Sequence, residues 1–454
     1  MLLTTKWIEK HLPNEKGNLF EEIMIEHVTT DSRLQQPNAL FVPIVGDLFD
    51  GHDFLEQAID NGAVATLWKK DKELPSFVAR DFPVFYVTDT LEGLQYLSHM
   101  YRKEINPIVI GITGSNGKTT TKDIVAAVCK KKYKTHYTAG NFNNHIGMPL
   151  TILSMPEDTE VLVLEMGMNH FKELELLSNL AEPDYAIITN IGESHIEFLG
   201  SRDGITQAKL EIISGLAEEG KLIIDGDEPL LHIHNTFRRT LTCGFQVEND
   251  VVISNVHVSQ KNTTFELSDQ QTYEIPLIGK HHAQNASFAV CLGKLLQIPV
   301  DQIKEGLMSL ELTAMRFEFL TGKNDAVIIN DAYNASPTSL KASIEIVKHL
   351  DGFKEKILVL GDIYELGDRS EEMHRSIVPV IDEKITAVLT YGNDSIYIHN
   401  AILEQNKPVA CMHFTEKDAL LNHLERYLVK DNLILFKASR GLAFEHLVKD
   451  VLAK

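Results

Sequence analysis

The chain has 454 residues, about three times the length of a typical domain of roughly 150 residues, so we expect two to four domains with full hydrophobic cores. Hydrophobic residues make up 44% of the chain and charged residues 24%, a composition that excludes a disulfide-stapled mini-domain and a long disordered segment. A formal net charge of -21 would repel a polyphosphate backbone, so we expect no nucleic-acid partner. An anionic ligand must be held by helix N-termini and a few placed lysine or arginine side chains.

Charged residues interrupt the segment 1–22, and no apolar run in the sequence is long enough to span a bilayer. The four cysteines lie far apart and form no Cys-x-x-Cys pair, which argues against a disulfide framework and against a zinc site. We therefore expect reduced core thiols, no integral membrane segment and a cytoplasmic location.

Short apolar segments alternate with segments of helical periodicity along most of the chain. This alternation is typical of parallel sheets joined by crossover helices, and it predicts an α/β protein of three domains. Residues 1–105 are predicted to form a small α/β domain, and residues 106–313 a central domain with a parallel sheet like that of P-loop ATPases. Residues 314–454 are predicted to form a smaller, doubly wound domain of the Rossmann-like type.

The expected strands are short apolar runs bounded by turn signals. In the central domain they lie at 107–113, 161–165, 185–190 and 221–225. A polar stretch at 250–273 predicts short antiparallel strands. In the C-terminal domain the expected strands lie at 327–330, 356–360, 387–391 and 433–437.

A glycine-rich segment, 111–120, lies between the first of these strands and a helix expected over 118–132. Its glycines allow backbone N–H groups to surround phosphates, Lys118 can neutralise phosphate oxygens, and the Thr119 hydroxyl can bind Mg²⁺. The spacing is one residue longer than in the Walker A motif, but the strand-to-helix context favours a nucleotide site over an ordinary turn. ATP is the expected ligand. Its expected contacts are Gly114, Ser115, Asn116, Gly117, Lys118, Thr119 and Thr120.

Polar side chains follow two other predicted strands. Glu165 ends an apolar strand, and His195 lies in the turn after the next one. The carboxyl ends of parallel strands form the ligand crevice of an open sheet, so both side chains could reach a metal ion on the nucleotide. From the residues alone, Glu165 could equally cap a helix, and His195 is more often a plain loop histidine. Lys209, in a helix expected over 205–216, has the pattern of a solvated surface lysine.

Further polar groups follow in the second half of the chain. Asn285 precedes a helix expected over 286–296, and it is interpreted either as the helix N-cap, which is slightly favoured, or as a nucleotide contact. In the C-terminal domain, polar loops at 331–337, 361–367 and 437–440 follow strand ends. Each could be turn chemistry alone, but together they line one edge of the predicted sheet.

The motifs taken together closely resemble those of the ATP-dependent Mur ligases of peptidoglycan synthesis, over nearly the whole chain. Residues 30–33 and 46–52 are similar to the N-terminal unit of the family, which binds the UDP-sugar. Residues 113–119 fit the family's own phosphate loop, which accounts for the departure from Walker A spacing. Residues 140–149 and 330–337 resemble the member that adds a dipeptide, although 140–147 could form only a turn.

The resemblance implies roles that the residues alone do not settle. Lys118, Glu165, His195 and Lys209 become the residues expected to carry the chemistry. Thr119, Glu165 and His195 are expected to bind Mg²⁺, and Lys209 is expected to be carbamylated and to support the second of two Mg²⁺ ions. Further ATP contacts are implied for Asn285, Arg316 and Asp331. Substrate contacts are implied for Ser32, Arg33, Gly46, Asp50, Asn141, Asn144, Asn334, Ser336 and Arg440.

The implied reaction is the addition of D-alanyl-D-alanine to UDP-N-acetylmuramoyl-tripeptide. ATP would phosphorylate the peptide carboxylate, and the dipeptide amine would attack the acyl phosphate, so that ADP and phosphate are released. We expect a monomer. The alternatives are a sister ligase with another acceptor, a phosphotransferase or simple ATPase that uses the same loop, and a regulator that binds ATP without turnover.

Overall fold

The structure is a computed structural model that describes residues 3–12, 22–234, 239–311 and 313–453. These residues form three mainly parallel sheets with surrounding helices, one sheet after another along the chain, which confirms the predicted α/β class with three domains. The prediction for the N-terminus used residues 1–22, and part of that segment lies outside the described ranges. No helix within those ranges is long and apolar enough to cross a membrane. All four cysteines are free thiols.

The N-terminal sheet has four parallel strands in the order β1-β2-β3-β4. The elements are β1 (His27–Thr29), β2 (Ala39–Phe41), β3 (Ala63–Lys69), β4 (Val84–Val87), α1 (Thr5–His11), α2 (Leu55–Asp60) and α3 (Thr90–Ile105). Asp89 caps helix α3, because its carboxylate accepts two backbone N–H groups of the first turn. The hydroxyl of Tyr101, on the same helix, donates to the Met155 carbonyl at 2.9 Å and so connects this domain to the central one.

The central sheet has nine strands in the order β13-β12-β11-β10-β9-β8-β5-β7-β6. They are β5 (Ile108–Thr113), β6 (Thr135–Tyr137), β7 (Val161–Glu165), β8 (Tyr185–Ile188), β9 (Lys221–Asp225), β10 (Thr240–Gly244), β11 (Val251–Val258), β12 (Thr263–Leu267) and β13 (Thr272–Ile275). Strands β5 to β11 pair in parallel, and β11, β12 and β13 pair antiparallel. Strands β7 and β9 begin and end where the sequence predicts. Strands β6 and β10 have no predicted counterpart.

The helices of the central domain are α4 (Lys118–Cys129), α5 (Gly147–Leu153), α6 (Glu173–Ala181), α7 (Ile196–Leu199), α8 (Arg202–Leu210), α9 (Lys280–Leu295) and α10 (Val300–Met308). Helix α4 starts at the predicted residue and ends earlier than predicted. Helix α9 starts before Asn285, so the interpretation of Asn285 as an N-cap is wrong. The polar residues at 280–282 carry no apolar periodicity, and the first turn of α9 is therefore invisible in the hydrophobic pattern.

The C-terminal sheet has six strands in the order β14-β15-β19-β16-β17-β18, parallel except for the β14-β15 pair. The strands are β14 (Glu318–Thr321), β15 (Val327–Asn330), β16 (Glu355–Gly361), β17 (Ala387–Tyr391), β18 (Ala410–Phe414) and β19 (Asn432–Lys437). The helices are α11 (Pro337–His349), α12 (Ser370–Arg375), α13 (Ile396–Glu404), α14 (Lys417–Leu424) and α15 (Glu445–Val451). A capping box at Ser336 and a proline at the first helical position fix the start of α11 beside the end of β15.

The connection into the C-terminal domain is fastened to helix α4. Asp123 Oδ2 accepts hydrogen bonds from the backbone N–H and from the hydroxyl of Thr313, both at 3.0 Å. The other carboxylate oxygen lies 2.6 Å from the Lys122 ammonium, and both of these charged side chains are buried. Helix α4 therefore fixes where the chain leaves the central domain.

Asp225 ends strand β9 beside two further acidic residues, Asp227 and Glu228. Burial, together with these two charges, raises the pKa of the Asp225 carboxyl to about 7. The unfolded chain titrates this group near 3.8, so the folded state binds more protons between the two values and stability decreases as the pH rises through that window.

We therefore expect Asp225→Asn to raise the melting temperature by a few degrees at about pH 8, because the amide removes the buried charge. The difference should shrink as the pH falls to about 4, where Asp225 is protonated in the folded state and about 40% protonated in the unfolded state. Scanning calorimetry of both proteins over this pH range measures the effect. Equal melting temperatures at the higher pH would contradict the expectation.

Candidate active site

A cavity of about 460 Å³ lies between the central and C-terminal domains. Its wall includes residues at the carboxyl ends of β7 and β15 and at the starts of α4 and α9, the position at which open parallel sheets bind ligands. Both domains contribute residues that were predicted from the sequence. Those that line the cavity are Ser115, Asn116, Gly117, Lys118, Thr119, Thr120, Asn144, Glu165, His195, Asn285, Arg316, Asp331, Asn334 and Ser336.

The other predicted residues do not line this cavity. They are Gly114, Asn141, Lys209, Arg440, Ser32, Arg33, Gly46 and Asp50. The last four lie in the N-terminal domain, where the Ser32 hydroxyl donates to Gln57 Oε1 at 2.7 Å and Arg33 pairs with Asp31. The backbone N–H of Arg440 points to Asn334 Oδ1 at 3.4 Å, so Arg440 lies beside the rim.

The phosphate loop is held in shape by the end of strand β8. Asn190 Oδ1 accepts the backbone N–H of Asn116 at 2.9 Å, and the Thr189 hydroxyl donates to the Asn116 carbonyl at 2.6 Å. Gly114 has a φ of 148°, and a Cβ atom there would lie only 1.8 Å from Thr189 Oγ1. Only glycine fits at this close approach. Lys118 Nζ donates to the Gly114 carbonyl at 2.7 Å, which folds the lysine over the loop.

Arg316 brings a second cation to the phosphate loop from the C-terminal domain. Its Nη2 donates to Thr119 Oγ1 at 2.9 Å, and its guanidinium lies 4.0 Å from the centre of the Tyr333 ring. The residues on both sides of it, Met315 and Phe317, have positive φ values of 62° and 52°. Strained backbone of this kind persists where the surrounding structure requires it. Arg316 and the phosphate loop thus form a cationic wall suited to a polyphosphate.

Glu165 lies at the end of β7 with only 2% of its surface exposed. Its Oε1 accepts from the Asn143 amide at 2.8 Å, while Oε2 is buried and has no hydrogen-bond partner in the described residues. A buried carboxylate oxygen without a partner costs free energy unless a cation neutralises it. The described part of the chain contains no group of three His, Cys, Asp or Glu side chains that could hold a metal ion. A cation beside Glu165 would therefore also need hydroxyl, phosphate or modified-lysine oxygens.

His195 follows strand β8 in a left-handed conformation with a φ of 65°. Its Nδ1 lies 2.5 Å from Glu365 Oε2 of the C-terminal domain. Burial lowers the pKa of His195, although the neighbouring carboxylate opposes this shift. The neutral imidazole that burial favours is the form that binds metal ions. Glu365 lies in the polar strand-end loop 361–367 noted in the sequence, but it was not assigned to the site, because its partner lies far away in the chain.

Lys209 is buried, with 1% of its surface exposed, so the surface position suggested by its pattern alone is wrong. No carboxylate pairs with its ammonium among the described residues, and burial lowers its pKa well below the usual value, with the Lys118 charge adding to the shift. The uncharged amine is therefore favoured. The sequence did contain an indication of this burial. Residues three and four apart lie on the same face of a helix, and Lys209 has the buried Ile205 and Ile212 at these spacings.

Asp331 and Asn334 organise the loop after β15. Asp331 Oδ2 accepts from the Lys437 ammonium and from the Ser343 hydroxyl, both at 2.6 Å. Its Oδ1 accepts the backbone N–H of Phe317 at 3.2 Å, next to Arg316. Lys437 begins the polar loop 437–440 noted in the sequence, although of that loop only Arg440 was predicted as a site residue.

Two contacts join the loops of the two domains across the cavity. The Ser336 hydroxyl donates to Asn116 Oδ1 at 2.7 Å, and the Thr338 hydroxyl donates to Glu193 Oε2 at 2.7 Å. Asn144 also lines the cavity, and its Oδ1 accepts two backbone N–H groups at the start of α5 and so shapes the turn in which it lies.

Known proteins resemble this chain over its whole length. Models of the Mur ligase family match residues 24–102 (catalytic domain), 112–293 (middle domain) and 315–440 (glutamate ligase domain). The UDP-N-acetylmuramoyl-tripeptide--D-alanyl-D-alanine ligase of Bacillus subtilis is 47% identical, with 96% of each chain covered. The protein of the same name from Escherichia coli is 32% identical, with 94% of each chain covered.

Solved structures agree with the sequence relatives. A crystal structure of MurF from Acinetobacter baumannii has a TM-score of 0.86 at 27% identity and covers 99% of both chains. The MurF ligase of Thermotoga maritima in complex with ADP has a TM-score of 0.80 at 29% identity and covers 93% of this chain and 96% of its own. Because family models match in all three domains and relatives match from end to end, this chain belongs to the Mur ligase family.

Proposed function

We propose that the protein is an ATP-dependent ligase that joins D-alanyl-D-alanine to UDP-N-acetylmuramoyl-tripeptide and thereby completes the UDP-muramoyl-pentapeptide precursor of peptidoglycan. The observation that carries this proposal is a single cavity in which the phosphate loop of the central domain faces the loop 334–336 of the C-terminal domain. Curated relatives that bear the name of this reaction match the chain from end to end. The cytoplasm, where we expect the protein to work as a monomer, contains ATP.

ATP would bind with its phosphates between the phosphate loop and Arg316. Lys118 and Arg316 supply two cations from two domains. Leu277 and Ile346 offer apolar surface to a base in the same cavity, and His282 Nδ1 is buried there without a partner among the described residues. Small-molecule sites combine apolar surface of this kind with polar groups that fix the orientation of the ligand. The complex of the Thermotoga maritima relative with ADP supports this placement.

The reaction must activate a carboxylate, which is too poor an electrophile to react with an amine directly. A carboxylate oxygen would attack the γ-phosphorus of ATP, and the bond from that phosphorus to the β-γ bridging oxygen would break to release ADP. The dipeptide nitrogen would then form the C–N bond, the phosphate would leave with its bonding electron pair, and the nitrogen would lose a proton. Phosphoryl transfer depends mostly on positioning and charge neutralisation, which Lys118 and Arg316 can provide without a nucleophilic side chain.

The residues beside the phosphate loop fit a magnesium site. Glu165 Oε2 needs a partner, and the Thr119 hydroxyl lies at the start of α4. We expect Thr119, Glu165, His195 and carbamylated Lys209, with phosphate oxygens of ATP, to hold two Mg²⁺ ions. Bound Mg²⁺ would neutralise negative charge on the phosphoryl group that is transferred.

The burial of Lys209 supports the carbamylation that the family resemblance implies. An uncharged amine can attack CO₂, so that an N–C bond forms, one proton leaves the nitrogen and an anionic carbamate results. The modification replaces a group that would repel Mg²⁺ by an oxygen ligand that Mg²⁺ prefers. The absence of an ion pair to Lys209 in the described residues and the lowered pKa of its amine support this step.

The N-terminal domain would hold the UDP-sugar through Ser32, Arg33, Gly46 and Asp50. Domain bounds at 1–105, 106–313 and 314–454 are supported by the three sheets, whose strands fall within these limits. The peptide of the UDP-sugar would then extend from the N-terminal domain to the cavity, where Asn141, Asn144, Asn334, Ser336 and Arg440 would contact substrate.

Phosphate release by the purified protein tests the proposed function. With Mg-ATP and UDP-N-acetylmuramoyl-tripeptide we expect release only when D-alanyl-D-alanine is also present, because the amine consumes the acyl phosphate. Release with D-alanine or L-lysine instead would assign a sister ligase. Release without either substrate would indicate a simple ATPase, and ATP binding without any release would indicate a regulator.

A further inference from the structure

The imidazole of His195 and the carboxylate of Glu365 meet across the boundary between the central and C-terminal domains. Nδ1 of His195 lies 2.5 Å from Oε2 of Glu365. A second contact fixes the same two loops, because the Glu197 backbone N–H donates to the Glu365 carbonyl at 3.2 Å. Both His195 and Glu365 have positive φ values, 65° and 62°. Such backbone strain persists only where neighbouring structure requires it, so contacts between the two loops hold both residues in these conformations.

The loop that carries Glu365 is rigidly attached to its own domain. The buried Asp362 carboxylate accepts three backbone N–H groups, from residues 393–395. The backbone N–H of Ile363 donates to His374 Nε2 at 3.0 Å, and that of Tyr364 donates to Ser439 Oγ at 2.8 Å. Glu365 is therefore presented from a fixed platform, and its position follows the position of the whole C-terminal domain.

The contact selects one nitrogen of His195 for the cavity. Nδ1 faces the Glu365 carboxylate, which leaves Nε2 as the nitrogen whose lone pair is available on the side of the cavity that His195 lines. A carboxylate that holds the far nitrogen of a metal-binding histidine fixes its tautomer and its orientation.

We propose that Glu365 is a positioning residue that orients His195 as a metal ligand, so that contact between the C-terminal and central domains completes the metal site. This inference rests on the proposed function, which places Mg²⁺ beside His195. Glu365 itself touches neither substrate nor metal in this arrangement, and it acts only through the imidazole.

Binding of Mn²⁺ to the full-length protein in the presence of ADP, followed by electron paramagnetic resonance, tests the inference. Glu365→Ala should weaken Mn²⁺ binding about tenfold, the usual effect of losing such a support. Glu365→Gln should restore most of the affinity, because its amide oxygen still accepts the Nδ1 proton. Glu197→Gln is the matched control, since it removes an exposed carboxylate two residues from His195 without touching the imidazole, and it should bind Mn²⁺ like the unchanged protein.

The possible outcomes separate the two proposals. If the unchanged protein binds Mn²⁺ with ADP and Glu365→Ala binds it equally well, the positioning role is wrong and the metal site stands. Equal losses of Mn²⁺ affinity in Glu365→Ala and Glu197→Gln would also overturn the positioning role, because the removal of one negative charge near the site would then explain both losses. If no Mn²⁺ binds to the unchanged protein with ADP, the proposed metal site fails and the positioning role fails with it. ADP affinity without metal should be the same in all four proteins.

Discussion

Lys209→Ala should lose ligation activity by a factor on the order of 10³, the effect of removing one electrostatic stabiliser from a closed active site. The side chain is buried without a counter-ion in the described residues, and in the proposed mechanism its carbamate supplies a metal-binding oxygen. Acetate or another short carboxylate should restore part of the activity, because it can occupy the vacated volume and present an oxygen ligand. Phosphate release with both substrates, measured with and without acetate, gives the result.

Two controls separate carbamylation from simple loss of packing. Acetate should not stimulate the unchanged protein, and ¹³C NMR in labelled bicarbonate should give a carbamate signal that is absent from Lys209→Ala. Lys209→Arg keeps a cation but cannot form the carbamate, so it should be inactive as well. Full activity of Lys209→Arg would contradict the proposal, and so would the absence of a carbamate signal from the active protein.

Lys118→Ala should reduce turnover by a similar factor, on the order of 10³, and acetate should not restore it. Lys118 Nζ donates to the Gly114 carbonyl at 2.7 Å, so the lysine supplies both a cation for phosphate oxygens and a brace for the phosphate loop. ATP affinity should also fall, which equilibrium binding of a labelled nucleotide would measure.

Lys130→Ala is the matched control for this prediction. Lys130 follows the same helix, α4, but it is exposed and bonds to the Tyr137 hydroxyl, away from the phosphate loop. We expect its turnover to equal that of the unchanged protein. If Lys118→Ala kept turnover within about tenfold of normal while remaining folded, the lysine would not neutralise the transferred phosphoryl group.

Strands that are buried on both faces could be predicted from the sequence. Val161–Glu165, Lys221–Asp225 and Ala387–Tyr391 are nearly continuous apolar runs, as expected for parallel strands covered by helices, and their bounds agree with the prediction. The edge strands Glu318–Thr321 and Ala410–Phe414 were missed because their residues are mostly exposed or half-buried and carry no apolar run. Edge strands take their structure from the neighbour they pair with rather than from their own pattern.

Some residues of the candidate site could likewise be predicted from the sequence, and others could not. The phosphate loop could be predicted because all of its chemistry lies in one short segment with a strand before it and a helix after it. Lys209 was misplaced because its charge was given more weight than the buried isoleucines at helical spacing around it, and Asn285 was misplaced because the first turn of its helix is polar. Glu365 lies in the polar loop 361–367 that the sequence marked at the sheet edge, but it received no role, since its contact with His195 exists only after two domains have folded and met.

The attachment of Thr313 to Asp123 sets a short tether for Arg316. Three residues of chain span at most about 11 Å, so the Arg316 Cα stays within that radius of Thr313 at any angle between the two domains. Thr313 in turn is held by the helix that begins at the phosphate loop. The tether therefore limits how far Arg316 can move from helix α4 when the C-terminal domain rotates. Glu365 has no such tether, and its position changes with the whole C-terminal domain. A rotation of the C-terminal domain that separated Glu365 from His195 would therefore leave Arg316 tethered to the helix of the phosphate loop.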